Sequence, residues 1–410
     1  MNKYNTATLD NGLRIIHLPS DADVVYCGYE INAGTADETE LEEGIAHFCE
    51  HVTFKGTKQR RSLDIINFLE DVGGDLNAFT TKSETVYYSA ILNEHIEMAV
   101  DLLSDIVFHS TYPQAEINKE VEVICDEIES YNDSPSELIF DDFENIVFCH
   151  HPLGHNILGK AETVRSFTTA DALRFTTKHY RPDNAVFYAS GNINFDKLVE
   201  LLQQYTPAMK PRKNAKSLMQ TPHYEVIATT PIVVNKDTHQ AHVVVGTHAY
   251  DVYDKRRMPL YLLNNILGGP GMSARLNLSL REKHGLVYTV ESTMSTYERA
   301  GLWNIYFGCD PDDVETCLTL IRKELDKVMN TPLTQEELAK AKRQIKGQIG
   351  IAADNRESYA LDFGKSFLHY GWLKDIQKLY QDIDKITAEE IQAVARELFP
   401  ASNLTTLIYK

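Results

Sequence analysis

The sequence contains no long apolar run, no paired-cysteine motif and no low-complexity segment. Its apolar stretches fall far below the roughly 20 residues that a membrane-spanning helix needs. The opening Met-Asn-Lys-Tyr-Asn-Thr-Ala-Thr lacks the apolar core of a secretory signal, so we expect a cytoplasmic protein without a membrane partner. Six cysteines scattered along 410 residues predict reduced, mostly buried thiols rather than a zinc–thiolate knuckle.

Positive charge is also scarce. Lys and Arg number 40 against 59 Asp and Glu, which gives a net charge of -19. Nucleic acid is therefore not expected as a partner, because binding phosphates requires a basic face. The negative field suits cationic peptides, although it also serves solubility alone. Hydrophobic residues make up 43% of the chain, which is enough for large cores and excludes a mainly disordered protein.

The order of predicted elements indicates an α+β fold of two similar domains. In the first half, the patterns predict a hairpin turning at 10–12, strands at 24–31, 75–81 and 85–92, and helices at 41–54, 62–73, 96–108 and 113–130. In the second half, strands at 286–294 and 301–308 and a helix at 312–329 repeat the strand–strand–helix order of 75–108. We expect domains at 1–210 and 223–410, joined by a Pro- and Lys-rich linker at 211–222. Each should be a mainly antiparallel sheet with helices mostly on one face.

The most informative motif is the His-x-x-Glu-His pattern formed by His47, Glu50 and His51. On a helix, the two imidazoles lie one turn apart on one face, where they can bind a single tetrahedral Zn²⁺. Glu50 projects toward that face, and a carboxylate there can take a proton from a zinc-bound water. The alternative is a pair of unrelated surface histidines. Chance predicts this pattern only about 0.04 times in such a chain, which favours a metal site.

A third protein ligand is needed, because zinc in a hydrolase usually has three such ligands and a water. The helix predicted at 113–130 offers Glu116, Glu120 and Glu127 in one strip beside an apolar face. Carboxylates that border a buried face are better ligand candidates than those in open solvent. For each of them a solvated acidic edge is the competing interpretation, so the residues alone leave the third ligand open.

The motif and the Phe-Lys-Gly-Thr at 54–57 together resemble the inverted zinc motif of the insulysin/pitrilysin family. Relatives of similar length, such as the β-subunit of mitochondrial processing peptidase and its bacterial counterparts, are the most similar. In that family a Glu roughly 75 residues past the motif is the third ligand, and Glu127 lies 76 positions after His51. The resemblance implies Zn²⁺, one per chain, on His47, His51 and Glu127. Glu120 matches a family carboxylate that orients a ligand imidazole.

A short strand beyond the motif also resembles the family. Its residues are Asn77, Ala78, Phe79 and Thr80. In the family, the corresponding edge strand lies beside the zinc and binds substrate backbone by strand addition, which gives affinity with little sequence selectivity. An ordinary sheet strand is a compatible alternative.

The second half carries the family's other signature at 268–276 and 280–288. Within it, Arg281 and Tyr288 match a pair that reaches the substrate from the C-terminal domain. An Arg and a Tyr hydroxyl can donate to a scissile carbonyl as it becomes an oxyanion. From the residues alone, a structural salt bridge and a half-buried Tyr would be the simpler interpretation.

The resemblance implies a zinc-dependent endopeptidase that cleaves peptides or unfolded segments, with Glu50 as the proton acceptor. In the family, two halves enclose a chamber, and this chain is one half. We therefore expect a homodimer in which Arg281 and Tyr288 of one subunit serve the zinc site of the other. Two alternatives remain: a non-catalytic scaffold or partner subunit, and a protease that needs a heterologous partner. Retention of the full zinc set argues against the scaffold.

Overall fold

A computed structural model describes residues 4–212 and 230–410 of the chain. The predicted linker at 211–222 therefore lies almost wholly outside the described residues. The described residues form two compact units, each built around one sheet, and the predicted α+β class is confirmed. Among these residues, no helix has the length and apolar character that crossing a bilayer requires.

The strands and helices alternate along the chain in short groups. The strands are β1 (Asn5–Thr8), β2 (Arg14–Pro19), β3 (Val24–Ile31), β4 (Asp75–Thr80), β5 (Thr85–Leu92), β6 (Ala185–Gly191), β7 (Ile232–Val234), β8 (Ala241–His248), β9 (Val287–Thr296), β10 (Gly301–Cys309) and β11 (Thr405–Tyr409). The helices are α1 (Ile45–Thr53), α2 (Ser62–Glu70), α3 (Ile96–His109), α4 (Gln114–Asn132), α5 (Pro135–Val147), α6 (Ala161–Val164), α7 (Thr169–His179), α8 (Phe195–Tyr205), α9 (Arg257–Gly268), α10 (Val314–Asn330), α11 (Gln335–Ala353), α12 (Arg356–Tyr370), α13 (Ile376–Lys385) and α14 (Ala388–Leu398).

The first unit contains a six-stranded sheet in the order β1-β2-β6-β3-β5-β4. Only β2 and β6 are parallel neighbours, and the other pairs are antiparallel. Alternate residues of β3, such as Val25, Cys27 and Tyr29, pack with α1, α3, α4, α7 and α8 into one fully buried core. The opposite face of the sheet packs against α12, as the period-2 alternation of a strand allows. This arrangement leaves β4 as an edge strand beside the helical layer.

The second unit contains a five-stranded sheet in the order β7-β11-β8-β10-β9. The order and directions match those of β2-β6-β3-β5-β4, including one parallel pair, β7 with β11. The core on one face joins the sheet to α9, α10 and α14. The two units therefore repeat one topology, with the strand–strand–helix order expected at 286–329.

Helices α5 and α12 each belong to the unit opposite to the one expected from their position in the sequence. The first unit comprises residues 4–130, 155–212 and 352–374, and the second comprises 131–154, 230–351 and 375–410. Helix α5 thus lies against β8 and β11, while Ala360, Phe363 and Leu368 of α12 pack on Val186 and Tyr188 of the first sheet. The continuous domains expected at 1–210 and 223–410 differ from these units for that reason. An amphipathic pattern predicts that a helix buries one face, but it does not specify the sheet that covers it.

Candidate metal centre

Helix α1 is preceded by a glycine, and a carboxylate from outside the helix caps its first turn. Gly44 has φ 94°, a left-handed conformation that favours glycine, and the helix starts at Ile45 rather than at the predicted residue 41. The Glu38 carboxylate accepts hydrogen bonds from the backbone N–H of Gly44 (2.9 Å) and Ala46 (2.8 Å). Since the first N–H groups of a helix have no partner within it, Glu38 supplies the missing acceptor. This cap fixes where the zinc-motif helix starts.

The segment after α1 is tied to the segment that leads into α4. The Ser110 hydroxyl donates to the carbonyl of Thr53 (2.9 Å), and the N–H of Thr111 donates to the carbonyl of Gly56 (3.0 Å). Thr57 also forms an isolated β-bridge with Ser110. The Phe-Lys-Gly-Thr segment at 54–57 therefore links the end of α1 to the residues that precede α4.

The structure brings the three predicted metal ligands together. His47 and His51 lie on one face of α1 with ring centroids 4.7 Å apart. Oε2 of Glu127, on α4, lies 3.2 Å from Nε2 of His51 and 3.8 Å from Nε2 of His47. All three donor atoms lie within 4.8 Å of one another. Tetrahedral ligands about 2 Å from a zinc ion lie roughly 3.3 Å apart, so this donor set fits zinc and leaves a fourth position.

The electrostatics of the two imidazoles also suit a cation. Burial, reinforced by His51, lowers the pKa of His47 to about 3, so its ring is neutral, as a metal ligand must be. Burial alone would lower the pKa of His51, but the hydrogen bond to Glu120 and the charges of Glu50 and Glu127 raise it overall. The same excess of negative charge that favours a proton on His51 favours a bound metal ion.

Glu50 faces the same region and is held by the edge strand. Its Oε2 accepts a hydrogen bond of 2.6 Å from the hydroxyl of Thr80. Burial raises the pKa of Glu50, and Glu127 adds to the rise, while the bond from Thr80 and the charge of His51 oppose it. A carboxylate with a raised pKa accepts a proton more readily, as a general base must.

The four predicted substrate-binding residues all lie in β4. They are Asn77, Ala78, Phe79 and Thr80. β4 pairs with β5 on one side, with Asn77 opposite Tyr88 and Thr80 opposite Thr85, and it ends the sheet on the other. An edge strand presents free backbone groups for another strand. The hydrogen bond between Thr80 and Glu50 places that edge beside the candidate base.

Glu120 lies behind His51, as the resemblance implied. Its Oε1 is 3.1 Å from Nδ1 of His51, and its Oε2 is 2.6 Å from Nζ of Lys55. Burial alone would raise the pKa of Glu120, but these two hydrogen bonds and the charge of Lys55 lower it overall. Sequence reasoning missed Lys55 as a site residue, although it lies in the quoted motif four positions after His51. The closeness of Lys55 to His51 in the sequence was the signal from which this contact could have been predicted.

Arg281 and Tyr288 lie in the second unit, whereas the metal cluster lies in the first. Arg281 belongs to a π-helical turn at Asn277–Glu282, and its guanidinium lies 5.6 Å from the centre of the Tyr288 ring. Tyr288 is 80% exposed, so it is not the half-buried tyrosine of the simpler interpretation. Both side chains are open to solvent and accessible to a ligand.

The second unit has no counterpart of the metal cluster in its equivalent helix. Helix α9 follows β8 as α1 follows β3, but its sequence Arg-Met-Pro-Leu-Tyr-Leu-Leu-Asn-Asn-Ile-Leu-Gly contains no His, Cys, Asp or Glu. Asn264 in this helix accepts a hydrogen bond of 3.0 Å from the indole N–H of Trp303. The helix that carries metal donors in one unit therefore serves packing in the other.

Comparisons with known proteins agree with this asymmetry. Residues 15–161 match the family described as insulinase, peptidase family M16, and residues 166–345 match the peptidase M16 inactive domain. The uncharacterized zinc protease YmxG of Bacillus subtilis is 33% identical over 403 residues, covering 98% of this chain and 97% of that protein. The uncharacterized zinc protease SCO5738 of Streptomyces coelicolor is 33% identical over 404 residues, covering 95% and 86%.

Solved structures show the same fold. The crystal structure of a protease from Helicobacter pylori superimposes with a TM-score of 0.90 at 24% identity, covering 100% of this chain and 99% of that chain. A peptidase M16 inactive domain from Pseudomonas fluorescens gives a TM-score of 0.89 at 19% identity, covering 99% and 97%. Given the matched family models and relatives, the chain belongs to peptidase family M16, the insulinase family.

Proposed function

We propose that the chain is a zinc-dependent endopeptidase that cleaves peptides or unfolded segments. The observation that carries this proposal is a three-donor metal cluster whose adjacent carboxylate, Glu50, is hydrogen-bonded to an edge strand. In a metallopeptidase, the metal and the nearby carboxylate activate water, and an edge strand can hold the backbone of the peptide substrate. The names of the relatives, zinc proteases, support the same reaction class.

The substrate would add to β4 as a further antiparallel or parallel strand. Backbone hydrogen bonds along Asn77–Thr80 give affinity that does not depend on side chains, which suits a broad range of sequences. An extended backbone is available in peptides and unfolded segments but not in a tightly folded protein. Substrate selection would therefore depend first on unfolding and only then on sequence.

The protein residues divide the chemistry between holding the metal and moving a proton. His47, His51 and Glu127 would hold one zinc ion per chain, in line with the preference of imidazole and carboxylate donors. When bound, zinc supplies a Lewis acid that makes water acidic and polarises a carbonyl. The Glu50 carboxylate takes the proton of the attacking water and delivers it to the leaving amine nitrogen.

We further propose that two copies of this chain, each resembling the processing-peptidase β-subunit, form a homodimer whose active sites act in trans. One chain carries both the zinc set and the exposed pair Arg281 and Tyr288, which supports two equivalent chains without a different partner. In such a dimer the Arg/Tyr pair of one subunit contacts the substrate bound at the zinc of the other. Their N–H and O–H groups donate to the scissile carbonyl oxygen as it gains charge.

Cleavage of a mixed pool of unfolded peptides by the purified, zinc-loaded chain tests the activity. Products are identified by mass spectrometry, and Glu50→Gln is the matched control because it keeps the size but not the basicity of the side chain. Cutting by the wild type alone supports the protease and assigns Glu50. Absence of cutting by either protein, with zinc bound, supports a scaffold role or a missing heterologous partner instead.

Complementation tests the dimer. Glu50→Gln and Arg281→Ala chains should each be inactive alone and regain activity when mixed, because one mixed active site then combines an intact Glu50 with an intact Arg281. Subunit exchange is checked with distinguishable tags. Lack of recovery in spite of exchange would overturn action in trans while leaving the zinc chemistry untouched.

A further inference from the structure

A line of three polar contacts leads from the metal cluster to a lysine. Nε2 of His51 faces Glu127 at 3.2 Å, while its Nδ1 lies 3.1 Å from Oε1 of Glu120. The other Glu120 oxygen, Oε2, lies 2.6 Å from the ammonium of Lys55. Each oxygen of Glu120 thus has its own partner, one imidazole and one ammonium.

The tautomer of His51 depends on this arrangement. A neutral imidazole carries its proton on one nitrogen, and the partner of that nitrogen decides which one. An ionised carboxylate at Nδ1 only accepts hydrogen bonds, so it keeps the proton on Nδ1 and leaves the Nε2 lone pair for a metal. Glu120 can do this only while its Oε1 points at His51.

The ion pair with Lys55 restricts rotation of the Glu120 carboxylate. The Glu120 side chain is 12% exposed and that of Lys55 is 24% exposed, so the pair is well shielded from solvent. A contact of 2.6 Å between ammonium and carboxylate is a charge-assisted hydrogen bond, which is about twice as strong as a neutral one. Rotation of the carboxylate away from His51 would break this bond.

The backbone of Lys55 is itself well placed. Its N–H donates to the carbonyl of Val52 (3.2 Å) at the end of α1, and the next residue, Gly56, accepts from Thr111. These bonds hold the lysine between α1, which carries His51, and α4, which carries Glu120. The backbone of Lys55 is therefore held between the two helices, and from there its ammonium contacts Glu120.

We propose that Lys55 is a positioning residue for metal binding, which acts through Glu120 on the orientation and tautomer of His51. The inference rests on the metal site proposed above and adds a residue that does not touch the ion. It assigns a chemical purpose to the lysine of the Phe-Lys-Gly-Thr motif, in addition to the backbone ties of its neighbours.

The test is the zinc affinity of variants, measured by competition with a chromophoric chelator and without any peptidase assay. Lys55→Met should weaken zinc binding about tenfold, the low end of the effect of losing an outer partner of a metal-ligating histidine. Lys55→Arg keeps the cation and should restore most of the affinity. Lys119→Met is the matched control, because it removes an equally long side chain next to Glu120 that pairs instead with the outward-facing Glu116.

A double-mutant cycle separates positioning from general stability. If Lys55 acts through the Glu120 carboxylate, Lys55→Met should have little further effect in a Glu120→Gln background. The visible spectrum of the Co²⁺ form should also change in Lys55→Met but not in Lys119→Met. Equal zinc affinity of wild type and Lys55→Met, or full additivity in the cycle, would overturn the inference. Failure of the wild type itself to bind zinc would instead refute the proposed metal site.

Discussion

Replacement of Glu30 by Gln should stabilise the first unit, and the gain should grow with pH. Glu30 is the next-to-last residue of β3 and is 1% exposed, and neither carboxyl oxygen has a hydrogen-bond partner among the described residues. Helix α12 covers it with Gly364, where a Cβ atom would lie 2.5 Å from Oε1 of Glu30. A charged carboxylate in such a place is strongly disfavoured.

The magnitude follows from proton linkage. Burial, reinforced by Glu84 and partly offset by Lys365, raises the pKa of Glu30 well above its ordinary value of 4.5. The folded state therefore binds this proton more tightly than the unfolded state, so the related stability is complete below pH 4.5 and is lost as the pH rises toward the folded-state pKa. Between the unfolded-state and folded-state pKa values, stability falls by about 1.4 kcal/mol per pH unit.

Gln has the size of the protonated acid but no proton to lose. The stability of Glu30→Gln relative to the wild type should therefore rise as the pH increases above 4.5, by about 1.4 kcal/mol per pH unit until the folded-state pKa of Glu30 is reached. Urea unfolding in the presence of a chelator, monitored by hydrogen exchange of the β3 backbone, measures this difference without a contribution from metal binding. Glu40→Gln, at an exposed loop position, is the control and should show no such trend. A difference that does not change with pH, or a loss of stability at the higher pH, would refute the reasoning.

Four further variants test the geometry of the candidate site. Glu127→Gln should weaken zinc binding by at least tenfold in a chelator competition, whereas Glu50→Gln should leave the affinity within about threefold, because only Glu127 is placed as a ligand. Thr80→Val should lower kcat roughly tenfold with unchanged zinc content, because it removes the 2.6 Å hydrogen bond to Glu50; an unchanged kcat would contradict this positioning. Gly44→Ala should lower the free energy of unfolding by about 1–3 kcal/mol in a urea titration, since φ is 94° and the new Cβ would lie 2.9 Å from Cα of Gly159. Stability equal to the wild type would show that the backbone relaxes there.

The zinc helix could be predicted from the sequence because the information is local. The spacing of His47, Glu50 and His51 places their side chains together on any helix, so the pattern alone specifies two of the three metal donors and the adjacent Glu50. Glu127 could not be chosen over its neighbours in this way, since α4 offers several carboxylates and their distance from α1 depends on tertiary packing. The family resemblance supplied that choice, and the structure places Glu127 within 4.8 Å of the other donors.

The differences between predicted and observed element ends, and between the predicted domains and the two compact units, have a common physical cause. Helix α1 starts at Ile45 because the distant Glu38 caps it, and a cap contributed from outside the first turn leaves no local signature. Helices α5 and α12 pack on sheets that are remote in sequence, so their amphipathic patterns look the same in either unit. The burial of Glu30 could not be predicted either, because a single polar residue does not interrupt the pattern of a strand.

Helix α12 belongs to the first unit although it lies near the C-terminal end of the described residues, and this has a consequence for folding during synthesis. Residues 4–212 contain every proposed metal ligand, yet α12 (Arg356–Tyr370), which packs on one face of their sheet, comes much later in the chain. Because the ribosome synthesises the chain from its N-terminus, Val186 and Tyr188 emerge well before Phe363 and Leu368, with which they pack. The first unit therefore completes its packing only after α12, which follows most of the second unit in the sequence, has been translated.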